Sequence, residues 1–240
     1  MNEQRSLCYV PKVVIWLLVL SLGLQVFGHY QLPKPQSQIQ ELTSPPQVEL
    51  LRLFSLGDFV VGAKIFMLWL QAYGNQEGQI LSYQELNYIN LRKWLERILL
   101  IDPKSQYPLL AASHVYFNVK DKDKQRQMLD LVYQQFFIDP QQRWRWLAHA
   151  TVLAKHKLND LPLALKYAKA IATHSNPAMP YWAKEMQIFI LEDMGELEQA
   201  QLLIGGMLVS GQVTDPNEIK YLNERLLKLE KQAVKSYNVD

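Results

Sequence analysis

The chain has 240 residues, of which 49% are apolar and 20% are charged, with a net charge of +2. This composition excludes an intrinsically disordered chain, because enough apolar side chains are present to bury the core of a domain of roughly 200 residues. Two basic residues and one acidic residue lie in the first 30 positions, which leaves 23 basic and 22 acidic residues in the rest. Such a balance lacks the positive charge that drives binding to nucleic acid.

The only cysteine is Cys8, so the sequence allows neither an intramolecular disulfide nor a cysteine-based metal site. A domain without thiols suits an oxidising compartment such as a bacterial periplasm. No Asn-x-Ser/Thr sequon occurs, which disfavours a secreted eukaryotic protein.

Near the amino terminus, residues 13–24 carry neither a charge nor an amide, and Arg5 and Lys12 precede them. Because basic flanks stay in the cytoplasm, we expect a short cytoplasmic tail at residues 1–12 and a transmembrane signal anchor at residues 13–30. The sequence thus predicts a single-pass protein of the inner (plasma) membrane, with its main domain extracytoplasmic and periplasmic.

Two alternatives stay open for this segment. A spanning helix needs about 20 residues, whereas the apolar core of a cleavable signal has about 7–15. Val26-Phe27-Gly28 is a passable cleavage site, which would give a free periplasmic protein. The second alternative is a buried helix of a soluble domain. Four prolines in residues 31–46 then predict a linker before a domain at 47–240.

Within that domain, an Asp-Pro or Asn-Pro pair recurs at intervals of 37 residues, each followed four residues later by an aromatic residue. A period of roughly 20–50 residues is typical of stacked supersecondary units, and each interval has room for two helices. The pairs are Asp102-Pro103, Asp139-Pro140 and Asn176-Pro177, the aromatic residues are Tyr107, Trp144 and Tyr181, and Asp215-Pro216 follows after 39 residues.

Apolar residues recur at i, i+3, i+4 spacing in both halves of each interval, which indicates helices with one buried face. No useful strand alternation competes, so the sequence predicts an all-α fold. The stripes include Met128, Leu129, Val132 and Phe136, then Leu161, Ala164, Leu165 and Ala168, and then Trp182, Met186, Phe189 and Ile190.

Residues 103–214 resemble the tetratricopeptide repeat (TPR) family. In that family a turn residue precedes a second-helix alanine by five positions, as in residues 195–200 (GELEQA) and, with asparagine at the turn, in 159–164 (NDLPLA). The resemblance implies a right-handed array of antiparallel helical hairpins, a TPR-like α-solenoid, that binds proteins. The usual repeat has 34 residues, so related helical-hairpin repeats stay an alternative.

Arg143-Trp144-Arg145-Trp146 mixes basic and aromatic residues, as some nucleic-acid binders do. Trp144, however, holds the recurring aromatic position and is expected in the core. In TPR-type arrays the first helix of each hairpin lines a concave groove. The resemblance therefore implies a partner groove that includes Arg143, Trp146 and His149, while a core or ridge position is the alternative.

The flanking segments predict further helices. Ser82 and Glu85 form a capping-box pattern that is expected to open a helix. Residues 59–73 are strongly apolar, but the segment is too short for a second membrane span and contains Lys64 in its middle. A buried helix is favoured there over a helix lying on the membrane surface. At the other end, Ile219, Leu222, Leu226, Leu229 and Ala233 recur at spacings of 3 and 4, which predicts either a cap on the last repeat or self-association through this helix.

The sequence contains no recognisable catalytic, cofactor-binding or metal-binding constellation. His149 and His156 are seven residues apart with no third ligand, and residues 121–125 begin like a calcium loop whose glycine is replaced by Arg126. Gly205-Gly206 lies inside a helical pattern, where close packing against a neighbouring helix is the expected reason. We therefore expect no enzyme activity and no cofactor.

These observations predict a membrane-anchored scaffold that binds protein partners in the cell envelope through a TPR-like domain, with no role for nucleic acid. The alternatives are a non-catalytic accessory subunit of an envelope enzyme or of a secretion or assembly complex, and a periplasmic repeat protein with a cleaved signal. An all-helical enzyme and a self-associating structural protein are rival classes.

Overall fold

In a computed structural model, the described residues are 11–31, 41–76, 79–80, 82–175, 179–211 and 213–237. They belong to two units: residues 1–39 with 76–79, and residues 40–75 with 80–240. In the first unit, helix α1 (Lys12–Gln31) has 20 residues and is exposed along almost its whole length. At 1.5 Å a residue it is about 30 Å long, so α1 is long and apolar enough to span a membrane, as the sequence predicts.

The regular structure in the rest of the described chain is helical apart from one pair of two-residue strands, which confirms the all-α prediction. A 3-10 turn at Tyr83–Glu85 precedes α4, and α5 continues into wider π-helical turns at Ala111–Tyr116. The elements are α2 (Val48–Phe54), α3 (Phe59–Ala72), β1 (Asn75–Gln76), β2 (Gln79–Ile80), α4 (Tyr88–Ile101), α5 (Tyr107–Leu110), α6 (Lys122–Phe136), α7 (Pro140–His156), α8 (Leu161–Thr173), α9 (Tyr181–Asp193), α10 (Leu197–Val209) and α11 (Pro216–Tyr237).

Helices that follow one another in sequence pack against one another. From α6 to α11 every helix contacts the next, and α7 also contacts the π-helical turns and α9. One hydrophobic core extends from Leu42 to Ile190, and a second cluster joins α9, α10 and α11 around Ile188, Ile204 and Leu222. This serial packing is compatible with a helical repeat.

An Asp-Pro pair caps the start of α7 but not the start of α5. Pro140 is the first residue of α7, and the Asp139 carboxylate accepts a hydrogen bond from the backbone N–H of Gln142 at 3.2 Å. Asp102-Pro103 instead forms a turn, and α5 begins only at Tyr107. The pair Asn176-Pro177 lies outside the described residues.

The two turn residues that carry the family resemblance share a left-handed backbone. The φ angle is +53° at Asn159 and +79° at Gly195. Asparagine tolerates this region better than other residues with a side chain, which explains why it can take the place of glycine. Five residues later, Ala164 and Ala200 are fully buried, so no larger side chain would fit without displacing a neighbouring helix.

The predicted helix start at Ser82 is wrong. Ser82 and Glu85 do form a capping box, but the helix that it starts is only the 3-10 turn at Tyr83–Glu85. That turn ends at Leu86, whose backbone is extended. Helix α4 begins at Tyr88, and the Asn87 side-chain oxygen accepts hydrogen bonds from the backbone N–H groups of Ile89 and Asn90. Asparagine is as good an N-cap as serine, so the second cap sets the helix start.

Residues 41–46, at the end of the predicted linker, contact the folded unit. Leu42 is buried, and its carbonyl accepts a hydrogen bond from the Asn90 side chain at 2.7 Å. The Trp94 indole N–H donates to the Thr43 carbonyl at 2.8 Å. The carboxyl end of the predicted linker is therefore fixed on α4, and residues 32–40 lie outside the described residues.

Helix α3 is buried on one face only, whereas the sequence favoured a buried helix. Ala63 and Met67 are buried in the core, and α3 packs on α2 and α4. Val61, Ile65 and Leu68 lie on the opposite side of the helix and are exposed. The sequence could not separate the two faces because both are apolar.

Helix α11 covers the end of the helical series. Leu222 and Leu229 are buried against the second cluster, Leu226 is half-buried, and Ile219 is exposed. The Arg225 guanidinium clamps both oxygens of the Glu192 carboxylate on α9, at 2.6 and 2.7 Å. These contacts support the cap, while self-association through α11 stays a prediction.

Candidate partner-binding surface

Arg143, one of the three predicted groove residues, is buried and bonded to backbone carbonyls. Its side chain is 2% exposed. One terminal nitrogen donates to the Gln135 carbonyl and side-chain oxygens at 2.9 and 2.8 Å, and the other donates to the Pro103 carbonyl at 2.8 Å. Arg143 therefore ties α7 to the last turn of α6 and to the loop before α5, and its guanidinium does not face solvent.

The chemistry of this contact fits a buried cation. Gln135 lies in the last turn of α6, where backbone carbonyls lack helical partners and the helix dipole is negative. Burial lowers the pKa of the Arg143 guanidinium, and the nearby Asp139 carboxylate opposes this shift. The side chain nevertheless stays protonated at neutral pH, because an arginine pKa begins far above it.

Trp146 and His149, the other two predicted residues, come together with His114 in a cluster that we call the His–Trp cluster (His114, Trp146 and His149). The Trp146 indole N–H donates to the Gln106 side-chain oxygen at 2.6 Å, which fixes the ring between α7 and the start of α5. The His114 ring meets Trp146 edge to face, with centroids 6.3 Å apart. Trp146 is half-buried and so keeps part of its ring in solvent.

The two histidine rings of the cluster are stacked. Their centroids are 4.1 Å apart and their planes are 11° from parallel. His114 is exposed and His149 is half-buried. Burial lowers the pKa of His149, and the neighbouring His114 lowers it further because two protonated imidazoles would repel each other. The cluster therefore favours neutral His149 at pH 7.

The π-helical turns at Ala111–Tyr116 place His114 in this cluster. The last backbone carbonyls of a helical segment lack donors within it, and here side chains supply the bonds. The Tyr88 hydroxyl donates to the Tyr116 backbone carbonyl at 2.6 Å, and the side-chain amide of Asn118 donates to the His114 backbone carbonyl at 2.8 Å. The buried Ser113 hydroxyl lies 3.0 Å from the Leu109 carbonyl.

Sequence reasoning missed His114. It lies 35 residues before His149, close to the repeat spacing of 37, and this near-match is the signal that could have paired them. A π-helical turn shifts side chains relative to an α-helix, so the pairing does not follow the period residue by residue.

A second aromatic pair, Trp144 and Trp182, lies across α7 and α9. Trp144 is buried, as its recurring position predicts, and its ring meets Trp182 with centroids 5.6 Å apart. Trp182 was expected on the packed stripe of α9, but it is 53% exposed. The packed stripe is carried instead by Ala183, Met186 and Ile190.

Partly exposed aromatic and imidazole rings therefore lie on the π-helical turns and α7, and an exposed tryptophan lies on α9. Rings of this kind give large apolar contacts with little loss of side-chain freedom, and tryptophan is enriched where protein interfaces gain most of their energy. Within the described ranges, no group of three or more histidine, cysteine or acidic side chains is arranged to hold a metal ion.

Comparison with known proteins gives no match to any protein-family model, curated protein or solved structure. The fold and the surface define a class: an all-helical protein of serially packed helices, with one amino-terminal helix long and apolar enough to cross a membrane.

Proposed function

We propose that this chain is a single-pass membrane scaffold whose helical domain binds protein partners in the cell envelope. In this proposal α1 anchors the chain in the inner membrane and the domain lies on the periplasmic side. The domain is a right-handed, TPR-like array of antiparallel hairpins, and the chain catalyses nothing. The proposed orientation rests on Arg5 and Lys12, which precede the apolar run at residues 13–24, and the proposed compartment rests on the absence of cysteine from the domain.

The observation that carries the proposal is the exposed Trp182 of α9, whose ring packs on the buried Trp144 of α7. Tryptophan is among the residue types most enriched at the positions that dominate the binding energy of protein interfaces. Two basic side chains lie on neighbouring rings, with Arg145 over the Trp144 ring at 5.4 Å and Lys184 over the Tyr181 ring at 5.2 Å. An aromatic patch with a polar rim is the composition expected of a protein interface.

The serial packing of α6 to α11 gives further support. Stacked helical hairpins present first-helix side chains side by side, and they form extended binding surfaces without any reactive group. The contacts of α7 with both the π-helical turns and α9 fit that arrangement.

The proposal is tested by capturing partners from detergent-solubilised membranes with the full chain, and comparing Trp182→Ala with Leu202→Ala. Leu202 is also highly exposed but lies on α10, so it controls for loss of an apolar surface residue. We expect Trp182→Ala to weaken capture of a specific partner by about tenfold or more, as for an interface hot spot. Equal capture by both variants would contradict the proposed surface.

Orientation is tested separately with a carboxy-terminal reporter that is active only outside the cytoplasm. An intact, membrane-bound and active fusion is expected. A shortened soluble product would mean a cleaved signal, and an inactive fusion would place the domain in the cytoplasm.

A further inference from the structure

A second apolar surface lies where α2 meets α3. The two helices are bent by 103° relative to each other, and both carry exposed apolar side chains. We call this surface the apolar corner; it consists of Leu53, Phe54, Leu56, Val61, Ile65 and Leu68, all of which are exposed. A contiguous apolar patch on a soluble surface usually marks a contact with another molecule or with a membrane.

Leu56, at the tip of the corner, is 92% exposed and adopts a left-handed backbone with φ +49°. A leucine is unfavourable there twice, since water surrounds its side chain and its β-carbon opposes positive φ. The adjacent Gly57 also has positive φ, at +88°. An apolar environment around the tip would remove the first of these costs.

The two faces of α3 decide what kind of contact is feasible. Val61, Ile65 and Leu68 form one stripe, whereas Ala63 and Met67 are buried on the opposite side. A helix surrounded by lipid would lose that buried core face. The corner therefore cannot span a bilayer, but it can lie on one with its outer face in the lipid.

Charge argues for an apolar contact and against an electrostatic one. Residues 48–72 contain Glu49, Arg52, Asp58 and Lys64, so their formal charges cancel. Peripheral surfaces that bind through anionic lipid carry clustered lysine and arginine. This corner has no such excess, and its contact would depend on buried apolar area.

The length of the chain before the corner points to the bilayer as the occupant. Residues 32–40 separate the end of α1 from Glu41, and even a fully extended segment reaches only roughly 35 Å at about 3.6 Å a residue. Glu41 and Leu42 lie next to the start of α4, and α2 begins six residues after Leu42. A helix anchored in the membrane would thus keep the corner within reach of the lipid surface.

We propose that the apolar corner inserts into the interfacial layer of the bilayer that α1 crosses, with Leu56 reaching the acyl chains. This proposal rests on the proposed anchoring by α1. The domain is then held by two contacts, one spanning and one interfacial, which orients it on the membrane.

The test uses the full chain with Cys8→Ser, so that a single introduced cysteine carries a spin label. Leu56→Cys reports on the corner and Leu202→Cys reports on an exposed leucine of α10. Each protein is reconstituted at one copy per nanodisc of zwitterionic phosphatidylcholine, which excludes a second copy as the occupant. Accessibility to oxygen and to a water-soluble nickel chelate gives the depth of each label.

The Leu56 label is expected to favour oxygen over the nickel chelate, as an immersed label does, and the Leu202 label to show the reverse. The difference should persist between about 0.1 and 1 M salt, because screening acts on charged contacts alone. A Leu56 label that is as open to the chelate as the Leu202 label would overturn the proposal and favour a protein occupant. The proposal would also be overturned if the Leu56 label were immersed only in nanodiscs that contain anionic lipid. Protein that fails to enter nanodiscs would instead refute anchoring by α1.

Discussion

Gly62 of α3 lies directly against Ser55 at the end of α2. A β-carbon built on Gly62 would come within 2.1 Å of the Ser55 hydroxyl oxygen and 3.2 Å of its α-carbon. Because the second of these atoms belongs to the backbone, rotation of the serine side chain cannot remove the whole conflict. The close approach lets α2 turn sharply into α3, and it therefore holds the apolar corner in shape.

Gly62→Ala is expected to destabilise the fold by about 1–3 kcal/mol, since the added methyl group overpacks the helix contact. Gly205→Ala in α10 is the matched control. No atom lies within 4 Å of the position that a β-carbon would take at Gly205 or at Gly206. The prediction that this pair packs closely against a neighbouring helix is therefore wrong. Alanine at Gly205 should stabilise the fold by about 0.5–1 kcal/mol. Chemical denaturation of the full chain in mild detergent measures both changes.

Arg143→Met should destabilise the protein by about 2–4 kcal/mol, because the Pro103 and Gln135 carbonyls would lose a buried donor. The neighbouring Arg145 is exposed and contacts the Trp144 ring at 5.4 Å. Arg145→Met is therefore expected to cost less than about 1 kcal/mol. Equal losses of unfolding free energy in the two variants would contradict the conclusion that Arg143 ties α7 to α6 and to the loop before α5.

Local chemistry made parts of this fold predictable. The start of α7 follows from Asp139-Pro140, because the cap and the proline act within three residues of each other. The turn at Asn159 and the buried Ala164 follow from a short motif in the same way. The apolar run at residues 13–24 also predicts α1 directly, because the length and the composition of that run are enough to indicate a helix that could span a membrane.

Contacts between residues distant in the sequence were not predictable. Arg143 bonds to Pro103, which is 40 residues earlier, and no local pattern distinguishes this buried arginine from the exposed Arg145. The stacking of His114 on His149 depends on π-helical turns that the sequence does not announce. The sequence placed Arg143, Trp146 and His149 on one helix, but it could not tell which of these side chains would be buried.

Glu185 on α9 makes stability depend on pH. Its side chain is 2% exposed, and burial raises its pKa to about 7, with a further rise from the nearby Glu218 carboxyl of α11. Arg225 acts in the opposite direction. Because the folded pKa lies above the unfolded value of about 4.3, the folded state binds more protons between these pH values. The free energy of unfolding should therefore fall as pH rises from about 4.3 through about 7.

Glu185→Gln should remove this slope and stabilise the protein at about pH 8 by roughly 2–3 kcal/mol, because the neutral amide bears no charge to desolvate. Glu198→Gln changes an exposed glutamate of α10 and should leave the slope intact. Denaturation series at several pH values compare the two variants. An unchanged slope in Glu185→Gln would assign the pH dependence to another group.

His149 should titrate below the usual histidine pKa of about 6.5, because burial and the stacked His114 both oppose its protonation. Since the folded pKa lies below the unfolded one, this contribution to stability is present above about pH 6.5 and is lost as pH falls through the folded pKa. His114→Ala should raise the pKa of His149, whereas His156→Ala, an exposed residue on the same helix, should not. Imidazole NMR titration of the full chain measures both shifts. If His114→Ala leaves the His149 titration unchanged, the stacked pair is not electrostatically coupled, and burial alone sets the pKa.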